Sequence, residues 1–205
     1  MERILPSLWL LRHARPQIAP GICYGQLDVP ADRLVTWHAA KEFAAVAPQR
    51  ASLWTSSLQR CEQLALVLQG LRPDLMLKTP APDLRELDFG AWEGQRWQDL
   101  PRAQLDVWAR QLACYRPGGA ESLHAMLQRV ARALVRCWQV DAQGGHQHCI
   151  WVCHAGTMRC VQWLLQYGLQ APGSAQWWLP APGYGQWLRL PWSALPLDLQ
   201  RLAPS

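Results

Sequence analysis

The sequence predicts an α/β fold: a three-layer α/β/α sandwich with a mainly parallel sheet and a helical insertion. Two observations carry this. Short apolar runs of strand length end abruptly in polar residues, and they alternate with longer segments whose apolar residues recur every three or four positions. Such alternation is the mark of βαβ crossovers, which lay helices over both faces of a parallel sheet. The 205 residues suit one domain with a full core, residues 1–205, and no linker, repeat or low-complexity tract divides them.

The elements follow in order. Residues 8–11 read as a buried strand that runs into Arg12-His13. Residues 14–31 hold Pro16, Pro20, Gly21, Gly25 and Pro30 and form a long loop. Asp32 can cap a helix whose apolar face is Val35, Ala39, Phe43 and Val46. Leu53 and Trp54 lie in a second strand. Residues 56–59 have capping-box spacing, and the helix after them shows Leu58, Cys61, Leu64, Ala65 and Leu68 on one face before Gly70. Residues 83–86 end a further strand region. Residues 89–119 are polar and Trp-bearing, with a helix starting at Pro101. The whole insertion, about 90–140, is expected to be a helical lid. The clearest helix starts near Ser122, with a stripe of Leu123, Met126, Leu127, Val130, Leu134, Cys137 and Trp138. Residues 149–153 are a buried strand, 157–167 a helix closed by Gly168, and 184–190 a last strand.

Composition narrows the function. The net charge of +5 comes from 18 Arg and only 2 Lys, so an anionic partner fits. The Arg are scattered, with no basic run or recognition motif, which argues against nucleic acid. Thirteen Trp are many; they are either buried indoles or the Trp-lined mouth of a substrate pocket. Seven Cys are an odd number without framework spacing, which suits a reducing cytoplasm better than a disulfide scaffold. The N-terminal apolar run is broken by Pro6 and has no cleavage site, so it reads as neither signal peptide nor membrane span, and no membrane association is expected.

Four strand ends deliver chemistry. The first brings Arg12-His13, the second Ser56-Ser57 with Arg60 one turn later, the third Arg85-Glu86, and the fourth His154-Ala155-Gly156-Thr157. In open α/β sheets ligands bind beyond the carboxyl ends of the strands, so two His, two Arg and one Glu can meet at one edge. These types fit phosphoryl transfer. Two guanidiniums grip phosphate oxygens, and a neutral imidazole attacks phosphorus. A second imidazole and the helix N–H groups of Ala155 and Gly156 stabilise the charge. A carboxylic acid protonates the leaving alkoxide and then activates water. Taken singly each residue has a bland role; the combination carries the reading.

Leu11-Arg12-His13 resembles the signature of the histidine phosphatase superfamily, the fold family of the phosphoglycerate mutases. Residues 56–60 resemble its second arginine motif, 84–94 its acid segment, 118–122 the turn before its long helix, and 152–156 its second histidine motif. The resemblance implies that His13 takes the phosphoryl group, with Arg12, Arg60 and His154 around it and Glu86 as proton donor. It implies a phosphomonoester hydrolase acting on a small molecule, with no cofactor and no metal. Glu93 matches a recurrent acidic position and reads, like Asp88, as structural. Ala14 and Arg15-Pro16 depart from the usual Gly, acidic residue and Thr, which leaves open whether Arg15 compensates. Residues 23–30 resemble the loop of the α-ribazole phosphatase branch, which removes the 5'-phosphate of α-ribazole phosphate in cobalamin assembly.

Three rivals remain. A phosphoglycerate mutase would share the phosphohistidine, but the acid segment resembles the phosphatases more. A metal protein is suggested by His146, His148, Cys149, Cys153 and His154, yet a strand of about four residues separates its ends by roughly 13 Å, too far for one tetrahedral site. A non-catalytic phosphate-binding member of the fold is the third. The oligomeric state stays open, a homodimer included.

Overall fold

The computed structural model describes residues 6–144, 148–177, 179–192 and 195–202. Among them, five strands form one sheet in the order β3-β2-β4-β1-β5. β1 (Ser7–Arg12), β2 (Ser52–Thr55), β3 (Met76–Leu77) and β4 (His148–Cys153) are parallel, and β5 (Trp187–Pro191) runs antiparallel at the edge beside β1. The expected three-layer sandwich is therefore present. Its two cores are separated by the two-residue period of the strands. Leu8, Leu10, Trp54, Cys149, Trp151 and Cys153 face one core, which α4 (Leu123–Gly144) and α5 (Ala155–Tyr167) cover. Leu11, Leu53, Ile150 and Val152 face the other, covered by α1 (Arg33–Ala44) and α2 (Gln59–Leu71).

Several expectations need correction. α1 is capped by Asp32, whose side chain accepts from the Val35 N–H, but the buried face is Thr36, Ala39, Ala40 and Phe43, while Val35 and Val46 are exposed. Thr36 can turn inward because its hydroxyl donates to the Asp32 carbonyl at 2.6 Å. The capping box at 56–59 does not form. Leu58 is the N-cap and makes no side-chain cap, and the first amide of α2, Gln59 N–H, donates instead to Asp28 of the long loop at 2.8 Å. Residues 83–86 are not a strand. A 3-10 turn at Pro82–Leu84 is followed by extended chain whose carbonyls are held by Arg129 of α4.

The insertion divides in two. Its first part carries 3-10 turns at Gly90–Trp92 and Trp97–Asp99, α3 (Arg102–Arg110) and a turn at Pro117–Gly119, over a small core of Cys23, Trp92 and Leu100. Gly118 has φ +59°, and a Cβ there would lie 1.9 Å from the Phe89 carbonyl, so this turn needs glycine. α4, expected within the lid, is instead a layer of the sandwich, because its apolar stripe is continuous enough to bury against the sheet. β3 escaped the sequence reading, and the last strand starts at Trp187, three residues later than expected. No disulfide joins the cysteines among the described residues. No helix among the described residues is long and apolar enough to cross a membrane.

Candidate active site

β4 lies between β1 and β2, and this places the site. Arg12 pairs with Cys153 across β1 and β4, so His13 and His154, the next residues, leave the sheet side by side. The His13 N–H donates to the Cys153 carbonyl at 3.1 Å, and the Ser56 N–H to the Val152 carbonyl at 3.0 Å. The rings of His13 and His154 are 5.1 Å apart. Both, with Arg12, Arg60, Glu86, Ala155 and Gly156, line one cavity of about 510 Å³. The sequence-predicted residues thus converge at one sheet edge.

His13 is buried, and its Nδ1–H donates to the Ala14 carbonyl at 2.7 Å. That bond fixes the tautomer and leaves Nε2 as the lone pair. Burial, then the Arg60 guanidinium and to a lesser degree that of Arg12, push its pKa down to about 3 against the pull of the Ala14 carbonyl, so the ring is neutral. His154 is pushed well down as well, by burial and then Arg60, with His13 adding to the effect. Its Nε2 shares a hydrogen bond with the Ser56 hydroxyl at 2.9 Å and lies 3.5 Å from the Cys61 sulfur. Burial pushes the Cys61 thiol up, so it stays protonated.

The two arginines are tethered but not saturated. Arg12 donates to the Pro182 carbonyl at 2.9 Å, and Arg60 to the carbonyls of Leu27 and Gly25 at 2.9 and 2.6 Å. Their Nε–H groups are buried and have no hydrogen-bond partner among the described residues. Two orphaned donors, each carried by a cation, suit an anion. Aromatic rings back both. Arg12 lies 4.1 Å over the Tyr184 ring and Arg60 lies 5.4 Å from the Tyr24 ring, and the two phenols hydrogen-bond at 2.6 Å.

Glu86 accepts from its neighbour, the Leu87 N–H, and from the Gly156 N–H, each at 2.9 Å. Gly156 was expected to hold phosphate; its amide instead seats the acid, and a Cβ there would lie 2.0 Å from Glu86. Arg129 fixes the backbone beneath. It forks onto Glu121 at 2.7 and 2.8 Å and donates to the carbonyls of Asp83, Arg85 and Glu86. Glu93 behaves as read, accepting from the N–H groups of Gln26, Leu27 and Phe89, and Asp88 accepts from Gly90. Arg15 is exposed and does not line the cavity, so it replaces no lost contact. Sequence reasoning gave no site role of their own to Ser56, Tyr24, Tyr184, Glu121 and Arg129. Of these, Tyr184 had a local signal, the Gly183-Tyr184-Gly185 turn; Gly185 at φ +74° donates to the carbonyls of Arg12 and His13.

The metal reading loses support. His148 bonds Ser7 at 2.8 Å at the start of β4, about 20 Å of strand from His154, and His146 lies outside the described residues. No group of three or more His, Cys, Asp or Glu suited to a metal occurs among the described residues.

The sequence profile of the histidine phosphatase superfamily (branch 1) matches residues 8–193, and the chain belongs to that superfamily. Among solved structures, a mycobacterial glucosyl-3-phosphoglycerate phosphatase in complex with VO3 is 22% identical with a TM-score of 0.75, covering 95% of this chain and 94% of that one. Mycobacterial hydrolase 1 is 23% identical with a TM-score of 0.74, covering 91% and 89%. The Thermus thermophilus protein TTHB049 is 25% identical with a TM-score of 0.64, covering 91% and 94%. At these identities the likeness is one of fold. No curated protein sequence matches the chain.

Proposed function

We propose that the protein is a phosphomonoester hydrolase that works through a phosphohistidine on His13. One observation carries this. A neutral imidazole with its Nδ1 proton committed to a carbonyl stands beside two guanidiniums, that of Arg60 fully buried and that of Arg12 half-buried, whose buried Nε–H groups lack protein partners among the described residues. In the proposed reaction the Nε2 lone pair attacks phosphorus while Arg12 and Arg60 hold the equatorial oxygens. Nearby His154 stabilises the developing charge. Glu86 gives its proton to the leaving alkoxide and then takes one from water, which releases phosphate from His13.

The test is chemical. Rapid quenching with p-nitrophenyl phosphate is expected to trap acid-labile, base-stable phosphate on His13, and His13→Ala to abolish both the label and turnover. Label on His154 overturns the assignment of the nucleophile, and an unlabelled active enzyme overturns the mechanism. Glu86 is tested by leaving group. Glu86→Gln should slow phosphoenzyme formation from an alkyl phosphate by about 10² to 10⁴ while barely affecting the burst from the aryl ester, whose phenolate leaves unaided. A burst lost equally from both assigns Glu86 to positioning.

Within that class, α-ribazole 5'-phosphate is the substrate to try first. Support comes from residues 23–30, the segment that resembles the α-ribazole phosphatase loop. Tyr24 lines the cavity, and Gly25 and Leu27 hold Arg60. A kcat/KM screen that ranks phosphoglycerate or a sugar phosphate above it removes this assignment. Interconversion of the phosphoglycerates without phosphate release makes the protein a mutase.

A further inference from the structure

Beyond the polar floor, the same cavity becomes an aromatic cup. Phe89, Trp97 and Trp108 come from the insertion, Met126 from α4, and Trp177 from the loop after α5. The indoles of Trp97 and Trp108 are 8° from parallel with centroids 6.1 Å apart. Phe89 stands edge-on to both, at 89° and 88°, and the buried Trp92 braces the same two rings at 78° and 76°. Rings locked in this way cannot turn independently, so the wall is already ordered and a ligand need not order it. Met126 adds a thioether that adapts to a ring edge.

We propose that this cup is the leaving-group subsite and that it selects phosphomonoesters of alcohols bearing a flat aromatic ring system. The inference rests on the phosphomonoesterase reading above. A cup continuous with the phosphate floor is filled by whatever the phosphate is attached to. Outside that floor the polar groups of the lining are, besides the indole N–H groups, Tyr24, Arg159 and Ser174; the Tyr24 hydroxyl is already bonded to that of Tyr184 at 2.6 Å, and the Arg159 Nε–H already donates to the Leu179 carbonyl at 2.9 Å. A hydroxyl-rich body would give up water there for few hydrogen bonds. A flexible alkyl chain would lose rotamer freedom against walls of fixed orientation. A flat rigid ring loses neither, and it meets planar indoles in the arrangements such rings favour.

The experiment compares four phosphates of primary alcohols or their close analogues, so that leaving chemistry is nearly constant: naphthylethyl phosphate, octyl phosphate, glycerol phosphate and phosphoglycerate. In the wild type, kcat/KM for naphthylethyl phosphate should exceed that for glycerol phosphate by about 100-fold, the worth of the apolar area a bicyclic ring buries. Trp108→Ala should lower naphthylethyl phosphate turnover, as kcat/KM, by about 30-fold, as for a buried aromatic anchor. Glycerol phosphate should stay within about 2-fold, because it never reaches the wall. Trp177→Ala, on a separate loop, should show the same selectivity and serves where Trp108→Ala fails to fold; Trp108→Phe should retain most of the preference. Four equal values, or an equal loss on every substrate in the soluble variants, overturn the subsite. A preference for octyl phosphate makes the cup a chain-binding groove, and a preference for phosphoglycerate gives the specificity to Arg159 reading a carboxylate; either overturns the aromatic class. The p-nitrophenyl phosphate burst separates the two levels: if it is missing in the wild type, the phosphohistidine reading has failed, and if it is present without selectivity, only the subsite has.

Discussion

A histidine buried as a neutral base weakens the fold in acid. His13 has a folded pKa of about 3 against an ordinary value of 6.5. Between those values the unfolded chain binds the proton and the folded one does not, so stability is full above about pH 6.5 and falls as pH drops toward 3. The slope from this group is at most about 1.4 kcal/mol per pH unit. Urea unfolding of wild type and His13→Ala at about pH 7 and about pH 5 should show the variant losing about 2 kcal/mol less over that interval; the same loss in both proteins contradicts a neutral buried His13. The arginines make a second test. Arg12→Lys and Arg60→Lys keep the charge but lose the planar fork, and each should reduce kcat/KM by about 10² or more. Near wild-type rates in either variant place that side chain outside the phosphate site. At this scale the sequence was most legible where a strand end delivers the residue: Arg12, His13 and His154, with Arg60 one turn beyond; Glu86 was picked out by its motif, although no strand delivers it. It was silent where the partner is far along the chain. Ser56 looked like a helix cap, and nothing local announced that its hydroxyl meets a histidine 98 positions on; Tyr24 meets Tyr184 across 160.

Elements act through what they hold in place. α4 carries Arg129, whose fork on Glu121 leaves N–H groups for the carbonyls of the acid segment. Both side chains are largely buried, at 10% and 15% exposure, so removing one strands the other's charge. Glu121→Ala should therefore cost about 3 kcal/mol of stability, read by urea unfolding at neutral pH. Its kinetic signature should be selective, because Arg129 grips the Glu86 carbonyl: hydrolysis of an alkyl phosphate should fall more than the aryl burst. A loss of stability under about 1 kcal/mol would show the pair to be a surface contact. The same clamp explains an error of reading. Residues 83–86 have the look of a strand, but the carbonyls of Asp83, Arg85 and Glu86 are spent on Arg129, and that of Leu84 on the Thr157 hydroxyl, rather than on a neighbouring strand. α1 was misread by one position because Thr36 satisfies its own hydroxyl and can face inward, whereas the apolar faces of α2 and α4, being unbroken, were legible; the ends of α2 were not, since its expected capping box is absent and the helix runs through Gly70 to Leu71.

For the whole molecule, the anion should act as a structural ligand. Inorganic phosphate or vanadate at 100 times its Kd should add about 2.7 kcal/mol. In a chain of this size that raises Tm by roughly 5–10 °C. Arg60→Lys should lose most of that shift, and a wild-type shift in the variant places the anion elsewhere. The layer architecture was readable from alternation alone, but strand order was not, since period and length say nothing about which strand sits beside which. That order governs how the protein can be made. β4, the centre of the sheet, is contributed by residues 148–153, so β1 and β2 leave the ribosome with no partner between them and wait through almost a hundred residues of further synthesis. Until β4 arrives, the apolar faces of two strands and of α1 and α2 lack the element that joins them. The nascent chain is therefore expected to lean on chaperones through the translation of α4, and a ribosome stalled just before residue 148 should present a protease-sensitive chain in which His13 has no histidine beside it.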